Sequence, residues 1–174
     1  MTQGLKIYQS LWGMELRSPH VAERTPEESF AMIAEAGFDG VCLDPAVAEI
    51  PDMQPLKPLF EEHGLGCMVN AFPYHENDMQ PLLEFAQDFD ACMVNVISGV
   101  MPIKPEDAVP VVRRWMREAG AVGMPLLFET HRDGLLNDMY FTLQLMDLVP
   151  EMRLCADLSH FVVDRELEKM AKRF

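Results

Sequence analysis

The sequence predicts an α/β fold in which a parallel sheet is covered by helices. Short apolar runs alternate with amphipathic segments from one end of the 174-residue chain to the other. Strands that are buried on both faces lose the polar and apolar alternation of exposed strands, and the run Val94 to Ile97 shows this. Cys42, Cys67 and Cys92 recur every 25 residues, which matches the length of one βα unit.

The first βα unit has the clearest boundaries. We predict its strand over Leu5 to Leu11. Thr25 is the expected N-cap of the helix, with Pro26 at the first helical position and Glu28 completing a capping box. Gly37 is expected to end this helix as its C′ residue.

The second and third units follow the same order. We predict a strand over Gly40 to Leu43 and a helix over Gln54 to His63, which Gly64 ends. A third strand is expected over Leu65 to Ala71, and a third helix over Met79 to Phe89.

The fourth unit begins with a strand over Cys92 to Ile97. Its helix has the most regular period of the chain, and Pro110 is expected in the first helical turn. The apolar positions recur three or four residues apart. They are Ala108, Val111, Val112, Trp115, Met116 and Ala119.

The last two predicted strands end on carboxylates, Glu129 for the fifth and Asp157 for the sixth. The intervening helix is expected to stop at Pro150, and a final helix is expected from about Arg165. The residues predicted to share one side of the intervening helix are Leu136, Met139, Leu143 and Met146.

Two architectures are compatible with this repetition. A doubly wound sheet lacks support for its commonest uses, because neither a G-x-G-x-x-G nor a G-x-x-x-x-G-K-[ST] motif is present. A parallel (βα)-repeat barrel of the TIM-barrel type fits functional residues at strand ends better. A complete barrel needs about 250 residues. We therefore expect a single incomplete-barrel domain over residues 1–174, with about six of eight βα units.

Composition limits the possible partners. With 49% hydrophobic and 24% charged residues, the chain is typical of a soluble globular protein. The formal charge of −14 disfavours binding to nucleic acid or to an anionic membrane surface, so a small-molecule partner is expected. No apolar run approaches the roughly 18 residues of a membrane span, and the N-terminus has no secretory apolar region. A cytoplasmic location is the resulting expectation.

The four cysteines are interpreted as small buried strand residues in a reducing compartment. Each lies in a short apolar segment, and none belongs to a C-x-x-C pair. They are Cys42, Cys67, Cys92 and Cys155.

Glu129, Asp157 and His160 together indicate a metal site. If the strands are parallel, their carboxyl ends open on one shared site, and this mixture of oxygen and nitrogen donors suits a divalent cation. The alternative for each residue taken singly is structural: the two carboxylates cap loops, and His160 is a loop histidine.

Three segments carry a resemblance to a known superfamily: Ala36 to Val41, Leu127 to Asp133, and Ala156 to His160. With them, the whole chain resembles the xylose isomerase-like barrels, which include sugar-phosphate isomerases and epimerases and the endonuclease IV-type repair enzymes. The first segment is common, whereas the other two in this order and spacing are moderately specific.

The resemblance implies a role for each strand-end residue. Glu129 and Asp157 would bind a divalent metal such as Mn, Mg, Co or Zn, and His160 would approach the substrate or the metal. Glu129 would also be one of two carboxylates that exchange a proton of the substrate carbon. The family's remaining ligands, a His from strand seven and a Glu from strand eight, would lie beyond Phe174.

Three further residues are candidates for substrate binding. His131 lies two residues after Glu129, so in a continuing strand the two side chains point the same way, and Arg132 could meet a phosphate or carboxylate. His75 follows the third strand and could reach the site from its loop. The alternative for all three is a solvated loop position.

Four polar residues interrupt the apolar strands: Tyr8, Gln9, Asn70 and Asn95. In a barrel interior they are either hydrogen-bonded core residues or the lining of a pocket.

The leading functional hypothesis is a metal-dependent sugar or sugar-phosphate isomerase or epimerase that moves a proton next to a carbonyl through an enediolate. A dehydratase or lyase of the same superfamily is the second hypothesis, and an endonuclease IV-like activity is disfavoured by the acidic charge. A non-catalytic fragment is the alternative from a different class. An open six-stranded sheet leaves two unpaired edges, which predicts association, including a homo-oligomer.

Overall fold

In the computed structural model, which describes residues 4–164, six parallel strands form one curled sheet in sequential order. Each strand pairs in parallel with the next one along the sequence. A doubly wound sheet reverses its strand order at a switch point, and this sheet does not. The expected incomplete TIM-type barrel is confirmed. The strands are β1 (Tyr8–Ser10), β2 (Gly40–Leu43), β3 (Gly66–Ala71), β4 (Val94–Val96), β5 (Leu126–Glu129) and β6 (Leu154–Cys155).

Helices connect each strand to its neighbour and cover the outer face of the sheet. Short 3-10 segments occur at Trp12–Met14, Val47–Glu49 and Gln54–Leu56. None of the helices within residues 4–164 has the length and apolarity that a membrane span requires. The helices are α1 (Pro26–Glu35), α2 (Ile50–Met53), α3 (Lys57–His63), α4 (Met79–Asp88), α5 (Pro105–Ala121), α6 (Met139–Leu148) and α7 (Ser159–Asp164).

The core lies between the sheet and the helices. Phe30 from α1 and Trp115 from α5 are completely buried, as are Val41 in β2 and Val69 in β3. The Trp115 Nε1 group donates a 2.9 Å hydrogen bond to the Glu76 carbonyl, so α5 is fixed to the loop between β3 and α4. This packing joins the helices to the strands that carry the site.

The predicted helix signals of the first unit are confirmed. The Glu28 N–H donates to Thr25 Oγ1 at 3.2 Å, and Glu28 Oε2 accepts from the Thr25 N–H at 2.9 Å. Gly37, with φ of 82°, and Gly64, with φ of 64°, adopt the left-handed conformation just after α1 and α3. Such a conformation favours glycine at helix ends.

Tyr8 fills the amino-terminal end of the sheet interior. Glycines at the starts of β2 and β3 make room for its ring, because a Cβ at Gly40 would overlap the ring and the Gly66 carbonyl oxygen. The Cys92 thiol donates a 3.5 Å hydrogen bond to the Tyr8 hydroxyl. This bond and burial raise the pKa of Tyr8 to about 12. Tyr8 is therefore a hydrogen-bonded residue at the amino-terminal end of the strands, opposite the end that carries Glu129.

Two cysteine predictions need correction. Cys92 is exposed and Cys155 is only half-buried, whereas Cys42 and Cys67 are buried as expected. Cys92 is exposed because β4 begins at Val94, two residues later than predicted.

Prolines shift two of the predicted helices. The predicted Gln54 to His63 helix is divided into a 3-10 turn and α3, since prolines recur at positions 51, 55 and 58 and each removes a backbone donor. Pro110 is the sixth residue of α5, not part of its first turn, because the helix already begins at Pro105. The apolar face of α5 is nevertheless the predicted one.

The predicted face of α6 is wrong at Leu143, which is 51% exposed. The helix buries Thr142 and Leu145 instead, and Leu136 is buried in the loop that precedes the helix. Leu136 therefore lies outside the helix, and the three-to-four-residue spacing used in that prediction does not apply to it.

The two ends of the described chain also differ from expectation. β1 is shorter than Leu5 to Leu11, and β6 ends at Cys155, so Asp157 lies in the following loop. The next helix begins at Ser159 rather than near Arg165. The residues expected to form a helix from 165 to 174 lie outside the described part of the structure.

Candidate functional site

A cleft of about 690 Å³ opens at the carboxyl ends of the strands. Parallel strands bring their carboxyl ends to one edge, which explains why residues far apart in sequence meet there. The cleft is lined by Ser10, Trp12, Asp44, Ala46, Glu49, Asn70, Phe72, Tyr74, Ile97, Glu129, His131, Arg132, Asp157, Ser159 and His160.

Glu129 is the last residue of β5 and is half-buried in this cleft. Asn95 is level with Leu127 in the pairing of β4 and β5, so it lies on the same side of the sheet as Glu129. The Asn95 Nδ2 group donates to Glu129 Oε2. One carboxylate oxygen is thereby anchored to the neighbouring strand.

Two imidazoles lie beside this carboxylate. Glu129, His131 and His160 each offer a ligand atom, and these atoms all lie within 4.8 Å of one another. The rings of His131 and His160 are 4.0 Å apart between centroids. The His131 Nδ1 atom lies 2.5 Å from the Arg132 carbonyl oxygen, so His131 presents its other nitrogen, Nε2, for a ligand. The structure thus brings together two of the three predicted metal ligands, Glu129 and His160, with His131, which was expected only to contact substrate; the third, Asp157, is not in this group.

Asp157 lies next to this group and is oriented by the start of α7. Its Oδ1 accepts from the Ser159 hydroxyl at 2.5 Å and from the Ser159 N–H at 2.9 Å. The Ser159 hydroxyl is the main cause that lowers the pKa of Asp157, so its carboxyl group is ionised at neutral pH. The other oxygen, Oδ2, lies 3.4 Å from His160 Nε2.

The ends of β5 and β6 are also linked to each other. The Thr130 hydroxyl donates a 2.9 Å hydrogen bond to the Asp157 carbonyl, and the Thr130 N–H donates to the Cys155 carbonyl at 3.1 Å. Burial, followed by the charges of Glu129 and Asp157, raises the pKa of the Cys155 thiol. This thiol therefore stays protonated beside the two carboxylates.

The donor atoms of this site fit a divalent cation. The His160 side chain is only 13% exposed, and its Nδ1 atom is buried without a hydrogen-bond partner among residues 4–164. The carboxylate of Glu129 and the imidazoles of His131 and His160 form a mixed oxygen and nitrogen set of the kind that binds Mn, Mg, Co or Zn, and Asp157 lies beside this set, next to His160. A bound cation would give a partner to a buried nitrogen that has none within the described residues.

The charge of the cleft also favours a cation. Among residues 4–164, four carboxylates line it, from Asp44, Glu49, Glu129 and Asp157, and the single guanidinium is that of Arg132, which is exposed. Opposite charges attract more strongly where water is partly excluded. An anionic substrate would need Arg132 or a bound cation to offset these carboxylates.

His75 does not reach the cleft. It is exposed in the loop before α4, where its backbone N–H donates to Asp78 Oδ2 at 2.9 Å. Its neighbour Tyr74 lines the cleft instead and packs against Gly99.

The sequence reasoning missed several residues of the cleft. Asp44 directly follows β2, as Glu129 ends β5, so its position was the signal that could have identified it. Burial raises the pKa of Asp44, although it accepts hydrogen bonds from Asn70 and Ser10. Of the polar strand residues, Asn70 lines the cleft and Asn95 is a buried residue behind it.

No protein-family model matches the sequence, and no curated protein matches it either.

Several solved structures are similar in fold. A D-allulose 3-epimerase from Methylomonas sp. has 15% identity and a TM-score of 0.67, covering 93% of this chain and 66% of its own. A xylose isomerase-like TIM barrel protein from Mycobacterium smegmatis, solved in complex with magnesium, has 16% identity and a TM-score of 0.58, covering 83% of this chain and 61% of its own.

A probable 3-DHS dehydratase from Bacillus anthracis is similar to a comparable degree. It has 13% identity and a TM-score of 0.58, covering 87% of this chain and 62% of its own. The present chain spans about three fifths to two thirds of the length of these proteins. With six parallel strands in sequential order, it has the fold of the xylose isomerase-like TIM barrel proteins over that part of the barrel.

Proposed function

We propose that this chain carries the metal-binding and substrate-binding part of a sugar or sugar-phosphate isomerase or epimerase. The observation that carries the proposal is the meeting of Glu129, His131 and His160 within 4.8 Å at the carboxyl ends of the strands. Their position in a cleft of about 690 Å³ supports a small substrate.

Glu129, Asp157 and His160 would hold a divalent cation, with His131 as an additional imidazole donor. A bound cation of this kind supplies Lewis-acid polarisation of a carbonyl and a hydroxyl oxygen of the substrate. Hydrogen bonds from other residues orient the metal-binding carboxylates: Asn95 donates to Glu129, and Ser159 donates to Asp157. Such contacts fix the direction of metal-binding side chains.

Glu129 would also be the general base. Because Oε2 is anchored by Asn95, Oε1 is the oxygen that would take the proton from the carbon next to the substrate carbonyl. The electron pair of the broken C–H bond then moves into the carbonyl and gives an enediolate. Return of a proton completes isomerisation or epimerisation, and the resemblance implies a second carboxylate as the acid–base partner of Glu129.

The rest of the cleft would bind the substrate. Arg132 can donate to an anionic or hydroxyl oxygen of the substrate, whereas the His160 and His131 nitrogens are assigned to the cation. Trp12 and Tyr74, both 59% exposed, provide apolar faces of the kind that pack against sugar rings. His75 has no role in this proposal, because it lies outside the cleft.

The structural neighbours support a carbohydrate substrate. The D-allulose 3-epimerase was also solved in complex with D-allulose, so a protein of this fold binds a small sugar. The similarity to a probable dehydratase supports a second candidate reaction, in which the enediolate expels a neighbouring hydroxyl group.

Proton exchange tests the proposal. The 174-residue chain would be incubated with Mg²⁺ and D-allulose in deuterated water and followed by NMR. We expect deuterium to enter the carbon next to the carbonyl, and Glu129→Gln to slow this exchange by at least about 100-fold. Retention of all hydroxyl groups identifies an isomerase or epimerase, whereas loss of water identifies a dehydratase.

Glu151→Gln is the matched control for this experiment. Glu151 precedes β6 at the opposite end of the strands and pairs with Arg113 on the surface, so its substitution should leave the exchange rate unchanged. Equal exchange rates in the wild type and Glu129→Gln would contradict the proposed role of Glu129.

A further inference from the structure

Side-chain hydrogen bonds cross the carboxyl ends of four neighbouring strands. Asn70 Nδ2 in β3 donates to Asp44 Oδ1 after β2 at 2.7 Å, and Asn95 Nδ2 in β4 donates to Asn70 Oδ1 at 3.0 Å. The same Asn95 group donates to Glu129 Oε2 at the end of β5. We name these four residues, Asp44, Asn70, Asn95 and Glu129, the strand-end network.

The network has a direction that its two carboxylates impose. Asp44 can only accept when ionised, so Asn70 must turn Nδ2 towards it and Oδ1 towards Asn95. Asn95 must then turn Nδ2 towards Asn70 and Glu129, since the opposite orientation would place its oxygen against two acceptors. The orientation of the Asn95 amide therefore depends on that of Asn70, which in turn depends on Asp44.

Burial makes this arrangement specific. Asn95 is 1% exposed, so its amide contacts Glu129 from a position that solvent does not reach. Its Oδ1 atom is buried without a hydrogen-bond partner among residues 4–164. The orientation that serves Glu129 thus leaves one acceptor unsatisfied, which is unusual for a buried amide selected only for stability.

The far end of the network is held from the first strand. The Ser10 hydroxyl donates to Asp44 Oδ2 at 2.9 Å, and the Trp12 N–H lies 3.4 Å from the same oxygen. Asp44 is therefore fixed on both carboxylate oxygens, one towards β1 and one towards β3. The network extends from the loop after β1 to the candidate metal-binding carboxylate.

We propose that Asp44, Asn70 and Asn95 are positioning residues that together fix the orientation of the Glu129 carboxylate. This inference rests on the proposed function of Glu129, and it adds three residues that support that function. Asp44 acts on Glu129 without touching it, through two amides whose directions it sets.

Metal affinity provides the first test, with Mn²⁺ as the probe and the full 174-residue chain. Asn95→Leu keeps the approximate size of the side chain and removes the donor to Glu129, so Mn²⁺ affinity should fall about 10- to 100-fold. Asn70→Leu should lower the affinity by about tenfold. If the residues act as one unit, the double variant should bind no more weakly than Asn95→Leu alone.

Ser98→Ala is the matched control. Ser98 is also polar, 3% exposed and close to the end of β4, but within the described part of the chain its hydroxyl bonds only to Val100, in its own loop. This variant should keep wild-type affinity. Losses in Asn70→Leu and Asn95→Leu that multiply in the double variant would contradict a shared role.

NMR of the side-chain amides provides a second test that needs no metal. Asp44→Asn preserves size, and it should shift the amide signals of Asn95 as well as those of Asn70. Ser98→Ala should leave the Asn70 signals unchanged. Unchanged Asn95 signals in Asp44→Asn would overturn the network.

The two tests separate this inference from the proposed function. A wild-type chain that fails to bind Mn²⁺ contradicts the metal site, whereas the amide signals still decide whether Asp44 orients Asn95. If Asn95→Leu fails to fold, the size-preserving Asp44→Asn variant decides the question alone.

Discussion

The other residues of the candidate site lie around the carboxylate of Glu129. A neighbouring strand anchors its Oε2 atom, and two imidazoles lie within 4.8 Å of it. Sequence position was enough to predict that Glu129, Asp157 and His160 lie near the carboxyl ends of two neighbouring strands, because Glu129 ends β5 and the other two residues follow β6. The participation of His131 and the hydrogen bonds of Asn95 depend on strand register and loop direction, which a single sequence does not specify.

Substitution of the individual donors should rank their contributions to metal binding. We expect His131→Asn and Asp157→Asn each to weaken Mn²⁺ affinity about tenfold or more, since each removes one donor atom of the set. Calorimetric titration measures this directly. His75→Asn is the control, because His75 lies outside the cleft. Full affinity in both donor variants would limit the site to Glu129 and His160.

Asp44 should make the free energy of unfolding depend on pH. Burial raises the pKa of Asp44 above its usual value of 3.8, so the folded protein holds this proton to a higher pH than the unfolded chain. As pH rises from about 4 through the raised pKa, the contribution of Asp44 to the free energy of unfolding falls. Asn at this position does not titrate. The stability of the wild type relative to Asp44→Asn should therefore decrease over that interval.

Urea unfolding of both proteins between about pH 4 and pH 7 measures this difference. Other carboxylates titrate in both proteins and largely cancel. Stability curves that run parallel across the interval would contradict the assignment of a raised pKa to Asp44.

At the scale of elements, local signals were reliable and boundaries were not. Thr25 and Glu28 marked the start of α1 correctly because a capping box involves only neighbouring residues. Leu143 was assigned to the wrong face of α6, since its burial depends on what packs against the helix. The end of β6 was placed two residues late because Asp157 accepts hydrogen bonds from Ser159, the first residue of α7, instead of extending the strand.

The packing of Tyr8 against β2 should make Gly40 intolerant of a side chain. Gly40→Ala would force the Tyr8 ring or the Gly66 carbonyl to move, and we expect a loss of about 1–3 kcal/mol in the free energy of unfolding. Urea denaturation measures this loss.

Gly120→Ala is the matched control for that substitution. Gly120 lies in α5 with open space around its Cα atom, so alanine should stabilise the helix by about 0.5–1 kcal/mol. A Gly40→Ala protein as stable as the wild type would show that the start of β2 is not tightly packed.

At the scale of the whole molecule, the sheet is open. Within residues 4–164, β1 and β6 each pair on one side only, which leaves backbone donors and acceptors at both edges. The formal charge of −14 opposes contact between copies. The repetition of βα units predicted this architecture from the sequence, because alternating periodicity is a property of the whole chain.

We expect the chain to self-associate through these edges, and more strongly when salt screens its charge. Sedimentation velocity at about 0.02 M and about 0.5 M salt tests this, since screening lengths fall several-fold over that range. A monomer under both conditions would contradict association through the edges.

We propose that Glu129 anchors a divalent cation at the carboxyl ends of the strands. Titration of the 174-residue chain with Mn²⁺, followed by the electron paramagnetic resonance signal of the free ion, tests it most directly. We predict one bound ion per chain in the wild type and in Glu151→Gln, and at least about tenfold weaker binding in Glu129→Gln. Equal Mn²⁺ affinity in all three proteins, or no binding by the wild type, would contradict the claim.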